Sequence, residues 1–94
     1  MGNLSREVVV DRELEIGLLY DALVELTENS EGPNHYFSPK QVFSVADKRL
    51  GAYKVLPTTR LYEHFKRLVA DERVTFVIAG GHGTTFYRAD IKQE

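Results

Sequence analysis

Apolar residues recur at helical spacing through residues 13–28, ELEIGLLYDALVELTE, where Ile16, Leu19, Tyr20, Leu23 and Leu26 form a stripe and Glu13, Asp21, Glu25 and Glu28 face away. The pattern predicts a first helix with an acidic outer surface. Leu14, Leu18 and Ala22 widen the stripe beyond what one small core needs, and Gly17, a poor helix former, suits close packing. Two readings follow: a central helix covered on two sides, or a helix that also offers a homodimer contact. Turn formers from Asn29 to Asn34 end the helix and lead into a short β-prone segment, His35-Tyr36-Phe37. Ser38-Pro39-Lys40-Gln41 then opens a second helix. The serine hydroxyl caps it, proline suits the first helical position, and glutamine returns a bond to the cap. Val42, Val45, Ala46 and Leu50 give this helix an inward face with Phe43 on its flank, and Gly51 suits the left-handed conformation that ends many helices.

Pro57-Thr58-Thr59 marks a third helix running to about Asp71, with a threonine hydroxyl as its cap. At 100° per residue, Leu61, Tyr62, Phe65, Leu68 and Val69 fall on one side. Arg60, Glu63, His64, Lys66 and Arg67 fall on the other, which makes the expected outer face polar and mostly basic. Val74-Thr75-Phe76-Val77-Ile78 and Thr84-Thr85-Phe86-Tyr87-Arg88 are β-branched and aromatic. The segment between them, Ala79-Gly80-Gly81-His82-Gly83, supplies the glycines that a tight hairpin connection requires. The predicted fold class is α+β: three helices, a short strand before the second, and a C-terminal β-hairpin.

This order resembles the winged helix-turn-helix domain. The resemblance covers about residues 11–90, with 1–10 as an N-terminal extension and 91–94 as a tail. It rests on the 37–42 segment opening the second helix, residues 57–69 as the third, and Gly80 to Tyr87 as the wing. Where many members of the family enter the wing through a glycine, this chain has Asp71-Glu72-Arg73. A looser similarity is to the C-terminal winged-helix domain of archaeal origin-recognition replication initiators, through residues 23–27, Gln41-Val42-Phe43, the third helix and the glycine-rich wing. The resemblance implies binding of double-stranded DNA, in transcription regulation or replication, with the third helix as recognition helix. That role falls to Thr59, Arg60, Glu63, His64 and Arg67.

Charge changes the picture more through its distribution than its total. The net charge of −2 conceals eight acids against two bases in residues 1–31, and ten bases against six acids in 32–94. Such asymmetry suggests one surface that suits an anion and another that avoids it; the alternative reading is ordinary fluctuation in a short sequence. At 94 residues, folding buries only about 60–65% of the unfolded surface, and no cysteine is present to staple the chain. Stability rests on packing. Apolar runs fall far short of the roughly 18 residues that span a bilayer, and no signal peptide is recognisable, so no membrane role and a cytoplasmic location are expected.

In a major groove, Arg60 and Arg67 can each present two donors to a guanine edge or clamp a phosphate, and Glu63 can accept from cytosine. The competing assignment for Glu63 and Arg67 is a solvated i,i+4 ion pair worth about 0.3–0.5 kcal/mol. Lys66 extends the cationic side, Lys40 and Lys54 suit phosphate contacts beside the second helix, and His82 and Arg88 are the wing candidates. His35, His64 and His82 lack ligand spacing, so no metal is expected, and no cofactor. Neither a nucleophile elbow nor a phosphate loop occurs, which argues against an enzyme. The competing function is a winged-helix protein-interaction module that does not bind DNA.

Overall fold

Asp11 starts the first helix: its Oδ1 accepts from the amides of Glu13 (3.0 Å) and Leu14 (3.3 Å). Glu13 and Glu15 in the first turn favour the positive end of the helix dipole. The resulting helix, α1, spans Arg12–Glu28 in a computed structural model that describes residues 6–32, 34–81 and 83–91. Ser38 and Gln41 form the expected capping box, with bonds of 3.3 and 2.9 Å, and Pro39 opens α2 (Pro39–Leu50). Gly51 ends α2 with φ +77°.

The third helix departs from expectation at its start. α3 spans Leu61–Ala70, its N-cap is Arg60, and no side chain caps it; the threonines lie in the turn before it. Its other end closes with two bonds of 3.0 Å, from the Arg73 amide to the Leu68 carbonyl and from the Glu72 amide to the Val69 carbonyl. Glu72 holds the left-handed position of that closure at φ +59°.

Antiparallel strands β3 (Val74–Ala79) and β4 (Thr84–Ala89) form the C-terminal hairpin, in register from Val74↔Ala89 to Ala79↔Thr84. The short segment before α2 adds one bridge: Phe37 and Tyr87 exchange two backbone bonds of 2.7 Å. Lateral order is therefore Phe37, β4, β3. A second sheet was not foreseen. Glu7–Val8 pairs in parallel with Lys54–Val55, so residues set apart as an N-terminal extension contribute a strand to the fold. Arg6 pins it further, with donors to the Lys54 carbonyl (3.0 Å) and Asp47 Oδ1 (3.1 Å).

One core unites these parts: Ile16, Leu19, Ala22 and Leu23 of α1, Val42 and Ala46 of α2, Phe65 and Leu68 of α3, with Phe37, Leu56, Val74, Tyr87 and Ala89. α1 lies at its centre, packed by α2, α3 and β4, and this coverage takes in Ala22 and Leu18 of its wide apolar stripe but leaves Leu14 exposed. Gly17 does not serve close packing, since a Cβ there would meet no heavy atom within 4 Å. The described residues are α+β, with three helices, two small sheets and a C-terminal antiparallel hairpin. No described helix is long and apolar enough to cross a membrane.

Candidate functional site

α3 presents Tyr62, Glu63, Lys66 and Arg67 to solvent and buries Leu68, Phe65 and His64, with Thr59 exposed in the turn before it. His64 corrects the sequence expectation, which put it on the outer face. Leu61, His64, Phe65 and Leu68 follow the i, i+3, i+4, i+7 stripe of a buried face, so the helix is turned to place Tyr62 outside and His64 inside. A polar ring is tolerated there because it is met. His64 Nε2 lies 2.7 Å from Glu15 Oε1, and Glu15 is fully buried.

Arg60 and Arg67 are both turned toward carboxylates of α1. Arg60 Nη2 stands 3.7 Å from Glu15 Oε2, an oxygen with no hydrogen-bond partner among the described residues. Arg67 Nη1 donates to Glu13 Oε1 at 2.6 Å, and its i,i+4 partner is Asp71 at 3.8 Å rather than Glu63. The Arg60 side chain is 23% exposed and that of Arg67 52%. On the outer face of α3, two cations, Lys66 and Arg67, thus share the surface with three carboxylates, Glu63, Glu13 and Asp71. Such a face has no excess positive charge for a phosphate backbone.

Other sequence candidates are scattered. Arg88 is half-buried and donates to Ser30 Oγ (3.2 Å) and to the carbonyls of Gly32 and His35 (both 3.1 Å), which ties the 30–35 loop to β4. Lys40 and Lys54 are exposed and form no ion pair with a described residue. Lys66 sits over the Tyr62 ring at 5.6 Å. His82 lies outside the described residues. An open groove beside the end of α1 is lined by Tyr20, Glu28, Arg73, Arg88 and Asp90, and there Arg73 stacks on Tyr20 at 3.8 Å.

Sequence reasoning missed the apolar side chains that α3 and the hairpin leave outside. Val74, Phe76 and Ile78 share the α3-facing side of the hairpin with Tyr87 and Ala89, because directly opposed residues of an antiparallel pair point the same way. Val74, Tyr87 and Ala89 reach the core, and the Tyr87 ring stacks on Phe65 with centroids 4.4 Å apart. Toward the tip the strands outrun the globule. Phe76 is 45% exposed and Ile78 66%, while Tyr62, one turn before Phe65 on α3, is 63% exposed. The Tyr87 phenol is pushed above its ordinary pKa by burial first and by Tyr62 second.

Comparison with protein-family models, curated proteins and solved structures finds no match. Function must therefore be argued from this surface. Among the described residues, no three His, Cys, Asp or Glu side chains are grouped to hold a metal ion.

Proposed function

We propose that this chain is a winged-helix protein-interaction module whose contact surface is formed by the exposed apolar side chains of α3 and the β3–β4 hairpin, Tyr62, Phe76 and Ile78. The winged-helix reading is supported by the element order and by the lateral order Phe37, β4, β3, in which the segment before α2 joins the hairpin. One observation carries the choice of partner: α1 carboxylates hold the two arginines of α3, while Tyr62, Phe76 and Ile78 stand exposed beside them. Exposed apolar and aromatic side chains rimmed by charges of both signs suit a protein surface.

The reading of the same face as a DNA-binding surface is favoured by Lys40, Lys54 and Lys66, exposed on or near the helices that would meet a duplex, with Thr59 at the start of α3. In that case Arg67 exchanges Glu13 for phosphate, and the role is a transcription regulator or replication-associated protein in the cytoplasm. Duplex-DNA affinity over a salt series separates the two. DNA binding through several phosphates gives a steep fall, with a log–log slope of about −0.9 per contact. The interaction module gives no salt-dependent duplex binding by the folded chain, and a steep slope would overturn it.

A further inference from the structure

The open edge of β3 is where the hairpin differs most from a finished sheet. Three observations fix which backbone groups point outward there. The Asp90 amide donates to the Arg73 carbonyl at 2.9 Å, so 73/90 is a hydrogen-bonded position of the ladder, and the bonded positions then alternate through Thr75, Val77 and Ala79. Tyr87, opposite Phe76, turns both its backbone groups the other way, to Phe37. The Ala89 amide, opposite Val74, likewise donates away from β3, to Thr27 Oγ1 at 3.1 Å. The amides and carbonyls of Phe76 and Ile78 consequently face the outer edge, where no described strand pairs with them.

We infer that this edge pairs with the same edge of a second copy, antiparallel across a two-fold axis at Val77, to make one continuous sheet through both hairpins. The inference rests on the reading of the hairpin as an interaction surface and names its partner. An antiparallel two-fold at Val77 sets Phe76 opposite Ile78 of the second copy, and Ile78 opposite its Phe76, so the outward groups of these two residues are matched in closed, isologous fashion. Side-chain chemistry agrees with the backbone. β3 reads VTFVIA, without charge, proline or glycine, so two copies meet without like-charge repulsion. Natural edges usually carry a lysine, a proline or a bulge that blocks such pairing, and this one carries none. Pairing also lays the exposed Phe76 against Ile78 of the second copy on one sheet face, and widens a ribbon that a single bridge at Phe37 otherwise supports.

The test combines oligomeric mass with amide hydrogen exchange, across the micromolar to millimolar range. Sedimentation of the full chain should show twofold mass at the upper end, and Ile78→Lys should return it to the monomer with an unchanged circular dichroism melt, since Ile78 is largely exposed. At high concentration the Phe76 and Ile78 amides should exchange at least ~10-fold more slowly than at low concentration, while Val77, bonded to β4, stays protected throughout. A chain that is monomeric at every concentration, with Phe76 and Ile78 exchanging alike at all of them, would overturn the self-pairing yet leave the interaction reading to the salt series. A dimer that survives Ile78→Lys but is lost in Leu14→Lys would also overturn it, by placing the contact on α1.

Discussion

Glu15 Oε1 and His64 Nε2 meet at 2.7 Å inside the molecule, joining α1 to α3 across 49 positions of sequence. The Arg60 guanidinium stands 3.7 Å from the other oxygen of the same carboxylate. A carboxylate taken out of water is tolerated only with such company, and removing one member of a buried pair typically costs about 3–5 kcal/mol. Glu15→Leu should therefore lower stability by about 3 kcal/mol, and His64→Leu by a comparable amount. The double variant should lose clearly less than the sum, because neither group then remains buried without its partner. Urea melts of the four proteins check this, and additive losses would mean that the pair is not coupled.

Gly17 stands within α1 beside open space, where an added methyl group meets nothing within 4 Å. Glycine inside a helix costs about 0.5–1 kcal/mol relative to alanine, so Gly17→Ala should raise the urea midpoint by a corresponding amount. A fall instead would show that the glycine serves a close contact with another molecule on this side of α1.

Much of the local structure could be read from the chain, and the reason is visible in which parts succeeded. The capping box of α2 involves four consecutive residues, Ser38 to Gln41, and the hairpin is specified by strand composition around a glycine-rich tip. Both are short-range. Errors arose where a distant partner decides the outcome. Helical spacing centred on Tyr62 and Leu61 puts His64 on the outer side, and only Glu15 makes its burial possible. Helical spacing puts Arg60 and Arg67 on the exposed outer face of the third helix, but whether a cation is available depends on carboxylates in another helix, and both are turned toward α1. Glu7–Val8 became a strand through pairing with Lys54–Val55, a contact with no local signal. The candidate site suffered most, since it is defined by what the fold fails to cover.

Glu72 occupies the left-handed position after α3 at φ +59°, where its amide and that of Arg73 close the helix onto Val69 and Leu68. A side chain in this conformation costs roughly 1–2 kcal/mol that glycine avoids, offset in part by the greater backbone freedom glycine loses on folding. Glu72→Gly should stabilise the chain by about 1 kcal/mol, seen as a rise of about 4–8 °C in Tm. Glu72→Val, branched at Cβ, should do the opposite. A lower Tm for the glycine variant would show that the Glu72 side chain contributes more than its backbone costs.

Tyr87 brings a titratable phenol into the core against Phe65, and its pKa is raised above the ordinary 10.0 by burial first and by Tyr62 second. The unfolded chain therefore releases this proton at a pH where the folded chain still holds it. Fewer protons bound in the unfolded state mean that stability falls as pH rises, so the contribution is intact below about pH 10 and is lost above it. Lysines and the other tyrosines titrate in the same window, and a comparison isolates the effect. Tyr87→Phe retains the ring stacked on Phe65 and removes the ionisable group. Between about pH 9 and 11 the Tm of the natural chain should fall more steeply than that of Tyr87→Phe, and the two should run parallel below that range. Parallel curves throughout would mean that the phenol reaches solvent when it ionises, without unfolding of the chain.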